Sequence, residues 1–247
     1  MKNFESMFKT AITDYLKEKK NPDFSLCAVF FDMDGVLFDS MKYHAPAWVD
    51  AMHDFGVSFT LYDAYMNEGR TGASTIDGAF NLVFNRDATE KEKQDIYSIK
   101  TKYFEKYPQS EPMPFAGELL NKIKAQGLDI YLVTGSGQAS LLDNLQHFFP
   151  DTFVRERMIT AFDVNEGKPS PEPYLKALAK SGYEPHQICV IENAPLGIKS
   201  AHDAGLFSIG VNTGILKKDD LFATGANIVL DSMQELYEKW DEIFLKS

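Results

Sequence analysis

The sequence predicts an α/β protein whose core is a Rossmann-like, doubly wound parallel sheet with an inserted α-helical cap domain. Three observations lead to this prediction. Short apolar runs alternate with helical patterns, these runs are apolar throughout instead of at every second position, and the alternation stops over one long stretch. Strands that are apolar on both faces are typical of a parallel sheet that helices cover on both sides.

Six runs are predicted to form the sheet, and five of them are rich in β-branched or aromatic residues. In chain order they are LCAVFF (26–31), DIYLVT (129–134), the weaker MIT (158–160), QICVIE (187–192), FSIGV (207–211) and NIVL (227–230). In a sheet of this kind the ligand lies at the carboxyl ends of the strands. Polar residues that follow these runs are therefore the first candidates for a site.

The rest of the chain divides into three parts. Residues 1–23 have apolar side chains at helical spacing, which predicts an amphipathic helix that packs on the body, with a partner-binding helix as the alternative. Residues 41–113 lack a buried strand pattern and contain helical stretches and the charged run EKEKQD, so we expect a mostly helical cap there. Residues 24–40 and 114–247 are assigned to the core.

The composition argues against some classes of partner. The chain has 247 residues, a net charge of −11 and a pI near 4.9, which disfavours a general nucleic-acid or anionic-membrane surface. No apolar run approaches the length of a membrane span and the N-terminus has no secretory signal, so we expect a cytoplasmic protein. A monomer or a weak homodimer is expected. Cys27 and Cys189 lie in apolar runs and are interpreted as core residues.

Two carboxylates, Asp32 and Asp34, follow the first apolar run in FFDMDGVLFDS. A carboxylate at the edge of a core loses hydration and two together repel, so the pair needs a cation or a reaction that uses both. An ionised Asp32 can attack phosphorus, and Asp34 can protonate the leaving oxygen and later take a proton from the acceptor. Gly35 allows a sharp turn after the strand. A helix cap or a surface turn is the alternative interpretation.

Two further runs supply groups that suit a phosphate. In LVTGSG, Thr134 ends a strand and is followed by Gly135 and Ser136, which offer backbone N–H donors; a plain strand-to-helix turn is the alternative. In EGKPSPEPY, the prolines fix the path of a loop from which Lys168 can reach the crevice. Its ammonium would offset the repulsion between the aspartates, although loop lysines are mostly solvated.

The fourth run, VIENAPLG, ends a strand with Glu192 and Asn193. Acid and amide oxygens at a strand end suit a hard cation such as Mg²⁺, with Asp32 and the backbone carbonyl of Asp34 completing the set. Mg²⁺ is therefore the expected cofactor. The alternative is that Asn193 only caps the helix that follows.

In this order, the four runs resemble the haloacid dehalogenase-like superfamily, and within it the β-phosphoglucomutase-like group of phosphatases and mutases with a helical cap. The resemblance covers residues 24–231. It implies a nucleophile, a general acid/base, two phosphate-binding residues and two Mg²⁺-binding residues, which are respectively Asp32, Asp34, Thr134, Lys168, Glu192 and Asn193. Family members that act on carbon lack the second aspartate, so its presence favours phosphoryl transfer.

Two departures from the family pattern change the expected activity. The last pair is usually Glu-Asp, and Asn193 in place of the aspartate is expected to weaken Mg²⁺ binding. The Lys-Gly-x-Ser-Arg stretch in the cap of sugar-phosphate mutases is replaced by EGRTG (68–72), and Gly137 stands where mutases place another lysine. A mutase must hold a bisphosphate while it turns over, so the loss of these cations favours a hydrolase.

Three residues of the cap carry hypotheses about the substrate. Glu68 over the site would exclude larger phosphoesters and favour a compact substrate such as pyrophosphate, unless it only pairs with a lysine, and Arg70 could partly replace the lost cations. His44 either couples cap closure to proton transfer at Asp34 or is a structural histidine between cap and core. The cap sequence EGRTGAST (68–75) is more similar to members of the superfamily that hydrolyse pyrophosphate. The resemblance therefore implies a phosphohydrolase of pyrophosphate or of small phosphorylated metabolites. The alternatives are a hexose-phosphate mutase and a non-catalytic phosphate-binding module.

Overall fold

The computed structural model describes residues 2–21, 23–108, 110–136 and 141–244. Its strands are β1 (Ala28–Phe31), β2 (Asp129–Val133), β3 (Met158–Ile159), β4 (Ile188–Glu192), β5 (Phe207–Val211) and β6 (Ile228–Leu230). They form one sheet of six strands in the order β3-β2-β1-β4-β5-β6, in which every neighbouring pair is parallel. Each predicted run contains one strand, so the predicted doubly wound α/β sheet is confirmed.

The register of the sheet brings the ends of its three central strands to one level. Phe31, the last residue of β1, pairs with Leu132 of β2 on one side and with Ile191 of β4 on the other. The strand order changes direction at β1, which is where doubly wound sheets place their ligands. All residues of β1, β4 and β5 are buried, including Cys189, and both Cys27 and Cys189 are free thiols.

The described residues form eleven α-helices. They are α1 (Lys2–Lys19), α2 (Met41–Asp54), α3 (Leu61–Met66), α4 (Gly72–Phe84), α5 (Glu90–Phe104), α6 (Ala116–Ala125), α7 (Leu141–Phe148), α8 (Glu172–Ser181), α9 (Pro195–Asp203), α10 (Lys218–Phe222) and α11 (Met233–Phe244). Short 3₁₀ helices span Arg155–Arg157, Ala161–Asp163 and Pro185–Gln187. The alternation of strands and helices in the core follows the predicted pattern.

The helices α2 to α5 form a cap between β1 and β2, as predicted, and the cap faces the residues that follow the strands. Three of its helices begin at a threonine: the hydroxyls of Thr60, Thr71 and Thr89 each accept a hydrogen bond from a backbone N–H of the first turn. One apolar cluster contains both Ile76 of α4 and Ile198 of α9. The cap is thus joined to the core by apolar packing as well as by the chain.

The N-terminal helix α1 packs on the core beside α11. Phe8 and Tyr15 on its apolar face are almost completely buried. The Tyr15 ring makes edge-on contacts with Phe24 and Phe207, and its hydroxyl lies 3.0 Å from the carbonyl oxygen of Gly205. The helix therefore covers apolar surface of the sheet. Among the described helices, none is long and apolar enough to cross a membrane.

Candidate active site

Asp32 follows β1 at the bottom of a cleft between core and cap. Its N–H donates to the carbonyl oxygen of Ile191 (3.0 Å), which extends the pairing of β1 with β4 by one residue. Only 5% of Asp32 is exposed, and its Oδ1 lies 2.5 Å from Nζ of Lys168. Burial raises the pKa of Asp32 to about 7; the Lys168 ammonium opposes this shift and the Glu192 carboxylate adds to it. A second cation near Asp32 would therefore favour its ionised, nucleophilic form.

Lys168 is the buried counter-ion of the site. Its ammonium donates to Oδ1 of Asp32 (2.5 Å), the carbonyl oxygen of Val133 (3.0 Å) and Oε1 of Glu192 (2.6 Å). These acceptors match the three donors of an ammonium group, and Lys168 is only 2% exposed. Burial alone would lower the pKa of Lys168, but the two carboxylates raise it above its ordinary value. Lys168 therefore stays charged and fixes the two acids in place.

Glu192 organises this ion pair from beneath. It is fully buried, and its Oε1 accepts hydrogen bonds from Lys168 and from the Tyr174 hydroxyl (2.9 Å). Its Oε2 accepts from the backbone N–H groups of Asn193 (3.1 Å) and Ala194 (3.2 Å). Both oxygens already have two donors, so this geometry suits a residue that holds Lys168 and the strand end better than a direct metal ligand.

Asn193 links the core to the cap. Its amide Nδ2 lies 2.9 and 3.0 Å from the two carboxylate oxygens of Glu68, and both residues are buried. The opposite atom, Oδ1 of Asn193, is buried and has no hydrogen-bond partner among the described residues. Burial raises the pKa of Glu68 well above its ordinary value, and the negative charges of Asp32 and Asp34 add to this shift.

The residues present fit a hard cation. No group of three or more His, Cys, Asp or Glu side chains within the described residues is arranged to hold a metal ion. The site instead combines a surplus of carboxylates over its buried lysine with the unpartnered amide oxygen of Asn193. Asp32, the backbone carbonyl of Asp34 and this amide are oxygen donors of the kind that Mg²⁺ prefers.

Asp34 stands at the end of a hydrogen-bonded chain. Its Oδ1 accepts from the Ser40 hydroxyl (2.5 Å) and lies 3.6 Å from Nε2 of His44. Nδ1 of His44 lies 2.8 Å from Nζ of Lys100 on α5. Because an ammonium only donates, Nδ1 is the unprotonated nitrogen and Nε2 carries the proton that faces Asp34. Burial alone would raise the pKa of Asp34, but His44 and Ser40 hold it below its ordinary value.

Lys100 reaches His44 from inside an aromatic enclosure. Only 7% of Lys100 is exposed, and its Nζ lies 5.4, 6.0 and 5.0 Å from the ring centroids of Trp48, Tyr97 and Phe104. The Phe104 ring also stacks on His44 at 4.0 Å. Burial lowers the pKa of Lys100 to about 8. The cap thus sets the orientation of His44, and through it the surroundings of Asp34.

Thr134 and the residues after it form the opposite wall. Thr134 is buried, and its hydroxyl accepts a hydrogen bond from the backbone N–H of Ser136 (3.0 Å). Gly135 approaches the cap so closely that a Cβ on it would lie 3.1 Å from the carbonyl oxygen of Gly69. Ser136 lines the cleft. Gly137, where mutases have a lysine, lies outside the described residues.

The cap stretch 68–72 sits directly on the core. A Cβ on Gly69 would come within 3.2 Å of the Lys168 side chain, and one on Gly167 within 3.1 Å of Thr71. Arg70 donates from Nη1 to the Ser74 hydroxyl (3.0 Å), while its buried Nε has no partner among the described residues. The described conformation is therefore one with a closed cap.

The sequence-predicted residues meet at one cavity of about 540 Å³, a volume usual for small-molecule sites. The polar residues that line it include Asp32, Asp34, His44, Glu68, Arg70 and Thr134. Of the other candidates, Gly135 and Ser136 line it as well, whereas Lys168, Glu192 and Asn193 stand behind this lining. Sequence reasoning missed Ser40, Lys100 and Tyr174. Nothing in the sequence distinguishes Tyr174 from other tyrosines on a helix, or Lys100 from the solvated lysines around it.

These features define a class of enzyme. A doubly wound sheet presents two aspartates, a buried lysine and a hydroxyl at its carboxyl edge, and a helical cap closes over them. Such an arrangement suits transfer of a phosphoryl group to a carboxylate in a site shielded from water.

Comparison with known proteins agrees with this class. The haloacid dehalogenase-like hydrolase family matches residues 27–205, and the chain belongs to this family. β-Phosphoglucomutase of Bacillus subtilis is 27% identical over 223 residues, which are 86% of this chain and 96% of that protein. Glycerol-1-phosphate phosphohydrolase 2 of Saccharomyces cerevisiae is 30% identical over 219 residues, 85% of this chain and 83% of that protein.

A solved structure from Bacteroides vulgatus, provisionally assigned as a β-phosphoglucomutase, is 49% identical, covers 97% of both chains and has a TM-score of 0.93. The chain is therefore an enzyme of this family, either a phosphatase or a phosphomutase, and a phosphorylated small molecule fits as its substrate. Enzymes of the family generally use Mg²⁺.

Proposed function

We propose that this chain is a Mg²⁺-dependent phosphohydrolase that works through an aspartyl phosphate on Asp32, with pyrophosphate or a comparably small phosphorylated metabolite as substrate. The observation that carries the proposal is the contact between Glu68 and Asn193. It supports an acidic cap residue inside the closed site, at the position where sugar-phosphate mutases have a lysine. Without a cation at this position, the cap lacks one of the groups that would hold a second, permanently bound phosphate, and this favours a small substrate.

In the proposed mechanism, Asp32 attacks phosphorus and the bond to the leaving oxygen breaks. Lys168 holds the carboxylate at a fixed position, and the Thr134 hydroxyl, which accepts from the Ser136 N–H, has its own proton left to donate to a phosphoryl oxygen. Mg²⁺, held by Asp32, the Asp34 carbonyl and Asn193, would neutralise charge on the transferred group. Asp34 then takes a proton from water as that water attacks the phosphoaspartate, which releases phosphate and restores Asp32.

The ionisation state of Asp34 decides which leaving group it can assist. Because His44 and Ser40 hold its pKa below the ordinary value, Asp34 is ionised at neutral pH and suits the role of a base. A phosphate leaving group carries negative charge at this pH and departs without a proton. A sugar alkoxide is a much stronger base and needs one. An ionised Asp34 therefore suits a phosphate leaving group directly, whereas hydrolysis of a sugar phosphate needs Asp34 to be protonated first.

The cap supports a hydrolase over a mutase in a second way. Gly72 stands where the mutases have an arginine, and a Cβ on Gly72 would overlap the ring of Tyr97. A longer side chain has no room there while Tyr97 keeps its position. The hexose-phosphate mutase remains the second candidate, because the unpartnered Nε of Arg70 could bind a distal phosphate and because the cavity has room for an organic phosphate. A non-catalytic phosphate-binding module would not need both Asp32 and Asp34.

The test is phosphate release from pyrophosphate and a panel of sugar and glycerol phosphates, with isomerisation of β-glucose 1-phosphate measured alongside. We expect pyrophosphate to give the highest kcat/KM and to require Mg²⁺. Asp32→Asn should abolish turnover, whereas the matched control Asp39→Asn on the same loop should not. Isomerisation faster than hydrolysis would favour the mutase, and no turnover of any substrate would favour the binding module. A cytoplasmic location and a monomer or weak homodimer remain predictions.

A further inference from the structure

The turn between β5 and α10, residues 212–214, contacts the catalytic loop, which is residues 32–40 between β1 and α2. The Thr213 hydroxyl donates a hydrogen bond to the carbonyl oxygen of Gly35 (2.6 Å). Gly35 directly follows Asp34 and has a φ of +75°, a conformation that glycine adopts easily and also leaves easily. Its N–H donates to the carbonyl oxygen of Phe38 (2.8 Å). Both peptide units of Gly35 are therefore anchored, and Thr213 supplies the anchor that comes from outside the loop.

The neighbouring residue of the same turn touches the cap. A Cβ on Gly214 would overlap the ring of Tyr65, a buried residue of α3. The hydroxyl of Tyr62, on the same helix, lies 3.1 Å from Oδ1 of Asp220 and adds a polar contact between cap and core. Two successive residues of one turn thus contact the catalytic loop and the closed cap.

These contacts close into a ring. The N–H of Glu68 donates to the carbonyl oxygen of Tyr65 (3.3 Å), and the Glu68 carboxylate accepts from Asn193. The Asn193 amide packs on Gly35 so tightly that a Cβ on Gly35 would overlap it. In order, the ring runs through Thr213, Gly35, Asn193, Glu68, Tyr65 and Gly214. Two of its links join cap to core, so the ring is complete only when the cap is closed.

The turn is rigid, so a displacement of Gly214 by the cap also moves Thr213. The N–H of Asn212 donates to the carbonyl oxygen of Leu230 (2.8 Å). The side-chain amide of Asn212 donates to the carbonyl oxygen of Leu216 (2.8 Å). The N–H of Thr213 donates to the carbonyl oxygen of Val211 (2.9 Å). The turn is thereby tied to the ends of β5 and β6, which belong to the rigid sheet.

We propose that Thr213 is a positioning residue of the active site. It acts through Gly35, whose fixed peptide units set the direction of the Asp34 carboxylate and carbonyl. Contact between Gly214 and Tyr65 lets the closed cap hold the same turn in place. The catalytic loop is therefore most strictly ordered when the cap is shut. This role rests on the proposed function to the extent that Asp34 takes part in phosphoryl transfer.

The first test compares Thr213→Val, which keeps the shape and removes the hydroxyl, with Thr213→Ser, which keeps the hydroxyl. We expect Thr213→Val to lower kcat for pyrophosphate about tenfold with little change in KM, because one hydrogen bond is lost near the reacting groups. Amide hydrogen exchange over residues 33–38 should become faster. Thr213→Ser should behave like the wild type in both measurements. Wild-type kcat and exchange in Thr213→Val, or equal defects in both variants, would overturn the role of Thr213.

The second test addresses the cap. Gly214→Ala is acceptable to the backbone but displaces Tyr65, and the matched control Gly78→Ala adds the same methyl group to the cap where no heavy atom lies within 4 Å. Gly214→Ala should give a larger radius of gyration by small-angle X-ray scattering and faster exchange over residues 33–38. Gly78→Ala should match the wild type. An unchanged profile for Gly214→Ala would overturn the link between cap and turn.

An error in the proposed function gives results that differ from those expected if the role of Thr213 is wrong. If the wild type hydrolyses a phosphate monoester instead of pyrophosphate, the substrate proposal fails and the same ratios between variants are measured on that ester. If the wild type turns over nothing, scattering and hydrogen exchange still decide the inference, because neither measurement needs a substrate.

Discussion

Nζ of Lys168 lies 2.5 Å from Oδ1 of Asp32, at a depth where Lys168 is 2% and Asp32 is 5% exposed. The same ammonium also serves Glu192, so one buried positive charge faces two carboxylates. Such a cluster is stable only if its charges stay paired, because an unpaired buried ion loses its hydration without compensation. One negative charge of the two carboxylates is left without a positive partner. It can bind a metal cation, or it can attack the phosphorus of a substrate.

Replacing Lys168 by methionine should therefore damage both stability and activity. We expect the free energy of unfolding to fall by about 3–5 kcal/mol, since two carboxylates lose their buried partner. Loss of the charge should reduce kcat/KM by at least about a hundredfold. The pKa of Asp32 would rise further, so any remaining activity should require a higher pH.

Urea denaturation and a pH–rate profile check these expectations for Lys168→Met. The control is Lys199→Met, which removes an exposed lysine whose ion pair is with Asp203 on its own helix. It should change neither quantity appreciably. Near-wild-type kcat/KM in Lys168→Met would contradict the role of this ammonium.

The cap residues allow a test of substrate choice. Glu68→Lys restores the cation of the mutases at one position, but it should not create a mutase, since Tyr97 still occupies the space next to Gly72. We expect this variant to lose pyrophosphate hydrolysis by about tenfold or more, because the contact with Asn193 is broken. The triple variant Glu68→Lys, Gly72→Arg, Tyr97→Ala should gain turnover of β-glucose 1-phosphate relative to Glu68→Lys alone.

Coupled assays for glucose 6-phosphate and for free phosphate distinguish the two activities. Glu68→Gln serves as the control, since it keeps the shape of the side chain and adds no positive charge. Appearance of efficient mutase activity in Glu68→Lys alone would show that the Tyr97 ring does not limit the substrate.

The sheet and the rim of the site could be predicted because their signals are local. Six apolar runs of strand length mark the six strands, and the residues that end or directly follow these runs must lie at one edge of a parallel sheet. Asp32, Thr134 and Glu192 come together for this reason alone. The predicted runs are up to two residues longer than the strands: Leu26 and Cys27 precede β1, and four other runs include one polar residue beyond the strand.

The supporting contacts could not be predicted, because they join parts of the chain that are far apart in sequence. The bond from Tyr174 to Glu192 spans 18 residues and that from Thr213 to Gly35 spans 178. A tyrosine on a helix face and a threonine in a turn are both common without such partners. Only the packing of the folded core brings each of them to its partner.

The amide of Asn193 sets the expected strength of metal binding. Asn193→Asp adds a carboxylate to the oxygen donors, so Mg²⁺ should bind about tenfold more tightly. The same change removes the amide that donates to Glu68 and puts two carboxylates in contact, which should open the cap in the absence of metal. Isothermal titration with Mg²⁺ and small-angle scattering without it test the two effects. Asn121→Asp, on the exposed surface of α6, is the control for added charge. Submicromolar Mg²⁺ affinity of the wild type would contradict this account.

Lys100 provides a prediction in which stability and activity change in opposite directions. Burial lowers its pKa to about 8 from the ordinary value of 10.5. Between these two values the unfolded chain binds more protons than the folded one, so the Lys100 contribution to stability increases as the pH rises through this window. At pH 7 the buried ammonium lowers the free energy of unfolding by about 1–3 kcal/mol. Cation–π contacts with the rings of Trp48, Tyr97 and Phe104 offset part of this destabilisation.

Lys100→Met should therefore be more stable than the wild type at pH 7 by about 1–3 kcal/mol, and this advantage should shrink above pH 8. Its kcat should nevertheless fall about tenfold, because His44 loses the donor that fixes its orientation toward Asp34. Urea denaturation at pH 7 and pH 10, together with steady-state kinetics, measures both effects. Lys102→Met, on the exposed side of the same helix, should change neither. A variant less stable than the wild type at pH 7 would mean that the aromatic enclosure favours the ammonium more than burial penalises it.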